Sequence, residues 1–399
     1  MVALALPVTL GIAGITPAFS AEPEPAKPII SSNSAIEGEY IVHLQDEVDP
    51  SKFADEYDVE VIQLYEFAVK GFTGRIPEAK LQDIQRDPRI VSVEQNSVHM
   101  LERPDWETPP AEKSWALDRI DQAYLPLDGV YNHDRAHEGQ GVNIFVVDTG
   151  VDDDAPDLEG RVTNAYNAVG GDWGDCFNHG TPIASMAAGD DNGVAKSANI
   201  HNVKITSGVD CSKGLYTEGN FLKGLDWVFK KISSSDYHAR TVVNVSLRAE
   251  SYISSVAAAR LQGAGAMVVH SAGNEGADAC SVSGMARYNP DVINVGSTNN
   301  KDLIAATSNR GPCVDLFAPG VYVRGQSATD FNESRHFGTS FASGYVSGMA
   351  AVLLQSFDGP TPEASHAKGM LLAYATTHGR VEGDLGGADN KLLHKPIYW

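Results

Sequence analysis

The chain has 399 residues, 42% hydrophobic and 21% charged, enough to build more than one folded unit and bury a large core. Its 52 acidic residues against 30 basic ones give a formal net charge of −22. That balance argues against nucleic acid or an anionic membrane as a partner and otherwise reads as a solubilising surface.

Residues 1–20 read as a signal peptide. They are uncharged, rich in Ala, Leu, Val and Ile, and place small residues at Ala18 and Ser20 for cleavage after Ser20. No Lys or Arg precedes the apolar run, which leaves a membrane anchor as the competing reading, but Pro7, Gly11, Gly14 and Pro17 interrupt it as a spanning helix. In an exported chain, an even count of four cysteines reads as two disulfides. The segment 21–37, largely Pro- and Ser-rich, is expected to be a flexible lead.

Residues 38–101 alternate strand and helix patterns. Strands are predicted over Tyr40–Leu44, Val59–Phe67, Val69–Ile76 and Ile90–Glu94, and helices from Asp49 to Tyr57 and from Pro77 to Arg86. The β-α-β-β-α-β order predicts a small α+β, ferredoxin-like unit. It contains no catalytic constellation. Residues 102–113, with Pro104, Pro109 and Pro110, have the composition of an exposed linker.

Residues 114–399 read as one large α/β domain. Asn143–Val147, Ile200–Ile205, Thr241–Val245, Ala266–His270 and Val292–Val295 are near-continuous apolar runs, as a parallel sheet covered on both faces requires. Helical patterns lie at 179–189, 218–234 and 251–263, and a last one follows Phe337-Gly338-Thr339-Ser340 and runs to Leu354. A serine at such a helix start lies among backbone N–H groups without intrahelical partners, at the positive end of the dipole. That suits a nucleophile whose reaction builds an oxyanion; the structural alternative for Ser340 alone is an N-cap.

The first apolar strand ends in Asp148-Thr149-Gly150, which puts a carboxylate at a strand's C-terminal edge. His179-Gly180-Thr181 opens the next helical run. Singly, Asp148 could be a strand-end carboxylate in a turn and His179 a satisfied helix-start histidine. Together with Ser340 they form an Asp, His, Ser order that differs from those of chymotrypsin and the α/β-hydrolases. No Gly-x-Ser-x-Gly surrounds Ser340, which excludes a lipase-type elbow.

Asp148-Thr149-Gly150, His179-Gly180-Thr181, Ala272-Gly273-Asn274 and Gly338-Thr339-Ser340 resemble the signature segments of the subtilisin-like serine proteases, in particular the secreted proteinase K and aqualysin branch. The resemblance implies a mostly parallel subtilisin-like sheet flanked by helices, preceded by an inhibitory propeptide over 38–101. It implies Ser340 as nucleophile, His179 as base, Asp148 as the group orienting it, and Asn274 with the Ser340 N–H as oxyanion donors. Ser246 and Leu247 match the family's substrate strand, Ala272 and Gly273 the opposite wall of the S1 pocket, and Gly214 a second pairing edge.

By the same resemblance, the cysteines pair as Cys176–Cys211 and Cys280–Cys313. Pro290, Val292 and Asp315 resemble a structural calcium site of two backbone carbonyls and one carboxylate. No catalytic cofactor is implied, and the protein is expected to be a secreted monomer acting on proteins or peptides, inhibited by its own propeptide until it cuts itself between Leu101 and Thr108.

Several positions depart from the family. Arg248 and Ala249 stand where it has two glycines, Pro182 replaces a histidine, Ser185 a glycine, and Gly344-Tyr345 a Pro-His pair. Two readings follow: an active endopeptidase, or a degenerate homologue that binds a protein partner with little turnover. Retention of Asp148, His179, Ser340 and Asn274 favours the first.

Overall fold

The computed structural model describes residues 26–31, 34–101, 114–206, 213–234, 240–328, 331–357, 359, 362–375 and 381–395. The expected signal peptide and linker lie outside the described residues.

The N-terminal unit is a small sheet backed by two helices. Strand β1 (Ile29–Ile30) pairs in parallel with the last strand of the unit, and β2 (Ala35–Leu44) begins before residue 38, so the expected flexible lead is partly built into the sheet. Helix α1 (Pro50–Glu56) starts where Pro50 suits the first position and the Asp49 carboxylate caps the N–H groups of Ser51 and Lys52. Then come β3 (Glu60–Tyr65), β4 (Lys70–Arg75), α2 (Glu78–Arg86) and β5 (Ile90–Met100), in the sheet order β1-β5-β2-β4-β3. Val42, Phe53, Phe72, Leu81 and Val93 close its own small core.

The second unit opens with α3 (Trp115–Ile120) and β6 (Val142–Asp148), every residue of β6 being buried. Val142, Ile144 and Val146 face one core and Phe145 and Val147 another, the alternation that a strand covered on both sides must show. The chain continues through β7 (Val162–Asn167), α4 (Gly180–Ala188), β8 (Asn199–Lys204), β9 (Leu215–Thr217), α5 (Glu218–Ile232), β10 (Arg240–Val245), α6 (Tyr252–Gly263) and β11 (Met267–Ser271). Two short helices, α7 (Ala279–Val282) and α8 (Gly284–Tyr288), lead to β12 (Ile293–Thr298), β13 (Leu316–Pro319) and the antiparallel hairpin β14 (Val321–Gln326) and β15 (Glu333–Phe337). Helices α9 (Thr339–Gln355) and α10 (Ala364–Ala375) complete it.

The main sheet has the order β13-β12-β11-β10-β6-β8-β7, and its pairings are parallel. Helix α9 is buried from Thr339 to Leu354 and mostly apolar because it runs through the larger core, with Ser343 and Ser347 on the side that faces β10. Cys280 and Cys313 form a disulfide with a Cα–Cα distance of 5.2 Å. The other expected pair includes Cys211, which lies outside the described residues.

Candidate active site

The C-terminal ends of β6, β10 and β11 open on one edge of the sheet, so Asp148, the Ser246–Ala249 segment and the Ala272–Asn274 segment meet there. A cleft of about 410 Å³ lies at this edge and is lined by His179, Ser246–Ala249, Ala272–Glu275 and Ser340.

Asp148 is fully buried, and its Oδ1 lies 2.6 Å from His179 Nδ1 while accepting the Thr149 N–H at 2.7 Å. Oδ2 has no partner among the described residues, leaving the imidazole to balance the charge. Burial pulls the His179 pKa down, but the charge and hydrogen bond of Asp148 and the charge of Asp175 outweigh it and hold it above 6.5. Gly180 must lack a side chain, since a Cβ there would come 2.2 Å from the Gly150 carbonyl and 3.1 Å from the Asp148 Cβ.

Ser340 is the second residue of α9, not its cap. The cap is Gly338, with φ 138°, a conformation that glycine adopts freely. The Ser340 hydroxyl donates to the Ser246 carbonyl at 3.2 Å, and no hydrogen bond joins it to His179 among the described residues. Asn274 accepts the Thr339 N–H at 2.9 Å and lies 3.1 Å from the Thr339 hydroxyl through Oδ1, leaving its amide N–H₂ as the free end in the cleft. The Ser340 N–H, in the unpaired first turn, belongs to the same corner.

Three supporting groups escaped sequence reasoning. The buried Asp175 carboxylate accepts the N–H groups of Phe177 (3.2 Å), Asn178 (2.8 Å), His179 (3.0 Å) and Thr181 (2.8 Å) and the Thr149 hydroxyl (2.7 Å), and so builds the turn that presents His179. Beneath Ser340, the Asn244 amide donates to the hydroxyls of Ser343 and Ser347, and Ser246 Oγ meets Ser343 Oγ at 2.6 Å. Buried His270 lies 3.1 Å from the Leu247 carbonyl and 3.0 Å from Asn294 Oδ1, steadying the substrate strand from behind. A carboxylate four residues before His179, the residue that caps α4, was the one available signal.

The N-terminal unit fills part of the cleft. Its strand β5 pairs antiparallel with β9 through Val98–Thr217, His99–Tyr216 and Met100–Leu215, and the Leu101 N–H donates to the Gly214 carbonyl at 3.2 Å. Leu101 is buried and lines the cleft with Met100. Farther out, Glu94 accepts from the Ser251 hydroxyl (2.6 Å) and the Ile253 N–H (3.1 Å) at the start of α6, and Asp226 accepts the N–H groups of Phe67 and Ala68, each at 2.7 Å.

Arg248 does enter the cleft mouth. Its guanidinium pairs with Glu250 two residues on, past the end of β10, and with Glu275 on the opposite wall at 3.4 Å, while the Tyr216 hydroxyl donates to its carbonyl at 2.7 Å. The expected calcium ligands also converge, but on a different cation. The Lys368 ammonium lies 2.6 Å from the Pro290 carbonyl, 2.8 Å from that of Val292 and 2.7 Å from Asp315 Oδ1. Calcium does not fit there while the ammonium holds the three oxygens.

A buried Asp–His pair beside a serine at the start of a central helix, with amide donors at the same corner, defines a serine hydrolase with an Asp-His-Ser site. The chain belongs to the subtilase family of serine endopeptidases, whose profile matches residues 139–390, and the peptidase inhibitor I9 profile matches residues 39–102. It is similar to an extracellular serine proteinase of a Thermus species, 36% identical over 342 residues that cover 84% of this chain and 78% of that protein. Alkaline serine exoprotease A of Vibrio alginolyticus is 34% identical over 344 residues, covering 85% of this chain and 61% of that protein, so the chain spans less than two thirds of that relative. Among solved structures, a cold-adapted subtilisin-like serine proteinase superposes with a TM-score of 0.64 at 35% identity, covering 71% of this chain and 98% of its own. The degenerate reading has no support in these findings. Subtilases generally bind structural calcium and need no catalytic cofactor. No helix among the described residues is long and apolar enough to cross a membrane.

Proposed function

We propose that the chain is exported as a zymogen, cuts itself between Leu101 and Thr108, and then works outside the cell as a monomeric endopeptidase. The observation that carries this reading is the 2.6 Å pairing of His179 Nδ1 with Asp148 in a cleft that also holds the Ser340 hydroxyl. In this reading residues 1–20 are removed on export, 38–101 inhibit, 102–113 contain the scissile bond and 114–399 catalyse. The names of its relatives support an extracellular site of action.

An extended substrate adds to the Ser246–Ala249 and Gly214 edges, as Met100 and Leu101 already do at the second edge. The Ser340 hydroxyl turns from the Ser246 carbonyl toward His179 Nε2, gives up its proton there, and attacks the substrate carbonyl carbon. Asp148 holds the imidazole and balances the imidazolium. The new oxyanion accepts from the Ser340 N–H and the Asn274 amide. His179 then returns the proton to the leaving amine as the C–N bond breaks. Water repeats the sequence on the acyl-ester.

A serine-directed fluorophosphonate tests the reading. Folded, processed protein is expected to label at Ser340, and Ser340→Ala to accumulate as uncut precursor. Absence of labelling beside a control subtilase that labels, or normal processing of Ser340→Ala expressed alone, would overturn it.

A further inference from the structure

Pro290 and Val292 lie just before β12, and Asp315 just before β13. Lys368 comes from α10 and is 9% exposed, so its ammonium has left bulk water for these partners. An ammonium has three donors and no acceptor, and here three oxygens lie at 2.6, 2.8 and 2.7 Å. A calcium ion at that point would need about six to eight oxygens at about 2.3–2.6 Å. It would compete for the same three and face a positive charge within the same shell. The charge count agrees: one carboxylate, whose other oxygen accepts the Asn294 N–H at 2.8 Å, is neutralised by one ammonium. Lys391 adds a second positive charge near Asp315.

We infer that Lys368 is a built-in replacement for a calcium ion. Its ammonium supplies the charge that ties the starts of β12 and β13 together, and its side chain adds a tether to α10 that a free ion could not provide. This part of the fold therefore holds together without calcium, whatever ions bind elsewhere.

The test uses mature enzyme, blocked with a serine-directed reagent to prevent self-digestion, compared in calcium and in chelator. Lys368→Ala removes the ammonium and leaves room beside two carbonyls and the Asp315 Oδ1 that it held. It is expected to bind one more calcium per chain than the wild type in a calorimetric titration. Its melting temperature in chelator should fall, and calcium should restore it by a wider margin than in the wild type. Asp315→Asn is expected to bind as many calcium ions as the wild type. If Lys368→Ala gains no ion, or Asp315→Asn loses one, the inference is overturned. Should Lys368→Ala fail to accumulate, the Asp315→Asn count decides alone.

Discussion

Asp175 touches no substrate, yet the position of His179 depends on it. In Asp175→Asn the amide keeps the shape but offers one acceptor oxygen and an N–H₂ group. Asp175 Oδ2 receives the N–H groups of His179 and Thr181, and Oδ1 those of Phe177 and Asn178 with the Thr149 hydroxyl. Whichever way the amide sits, its N–H₂ faces at least two backbone donors. Each buried hydrogen bond to a charged acceptor is worth about 1.5–3 kcal/mol, so the loss of two costs about 3–6 kcal/mol. That is a large part of the stability of an ordinary domain, about 5–15 kcal/mol. Urea unfolding of full-length precursors carrying Ser340→Ala, with and without Asp175→Asn, measures the cost free of self-digestion. In the active background kcat should fall while KM holds, since only the base is displaced. If Asp175→Asn unfolds within about 1 kcal/mol of its parent and leaves kcat unchanged, the turn does not need its anchor and the reasoning fails.

Because Asp148 and Asp175 hold the His179 pKa above 6.5 against burial, and only the neutral ring accepts a proton, kcat/KM should fall with acid about a midpoint above 6.5. Asp148→Asn leaves burial nearly unopposed, so the midpoint should move below 6.5 and kcat drop by about 10⁴; a pH–rate profile with an unmoved midpoint would refute this. Arg248→Gly removes the ion pair that spans the cleft mouth and is expected to raise kcat/KM for bulky aromatic P1 residues relative to alanine by about tenfold, read from a P1 peptide series. Its effect on stability should be small, because the Arg248 side chain is half exposed. Glu94 is pushed to about 7 by burial and by the charge of Glu218, against the Ser251 hydroxyl and the backbone N–H of Ile253. A raised carboxyl pKa in the complex favours the complex at low pH and loses that advantage as pH climbs through 7. The cut propeptide should therefore leave faster at pH 8 than at pH 5.5, and Glu94→Gln should flatten the difference in the rate at which activity appears, assayed at one fixed pH.

Apolar runs made the central strands legible, since a strand buried on both faces is mostly apolar and keeps a polar residue such as Asn244 only where a buried partner meets it. β7, with its Val-Thr-Asn-Ala-Tyr-Asn sequence, lacks such a run, and β13, Leu-Phe-Ala-Pro, is apolar but only four residues long and ends in proline, so neither was predicted. β5 extends to Met100 rather than stopping near Glu94 because its last residues pair with β9, a contact between units that no local pattern encodes. Asp148, His179 and Ser340 were legible through motifs in a fixed order. Asp175 was not, because a carboxylate whose partners are backbone N–H groups leaves no periodic mark. Lys368 was invisible for a related reason: its partners are two carbonyls and one aspartate far along the chain, and any lysine on a helix looks solvated until the fold closes over it.

The departures from the family pattern divide by where their compensation lies. Pro182 falls in the first turn of α4, where its missing N–H would have had no helical partner. The Ser185 hydroxyl donates to Asp157 and accepts the Gln326 N–H at 3.0 Å, so its added polar group is satisfied inside the core. Gly344 lets α9 cross α4 closely, since a Cβ there would come 3.0 Å from the Ile183 carbonyl and 3.3 Å from the Met186 Cβ. Each of these is answered within the scaffold and leaves the reacting groups where they were. Arg248 is answered by Glu275 across the cleft, in space a substrate side chain must use. Of the four, Arg248 is the change placed to alter which peptides the enzyme accepts.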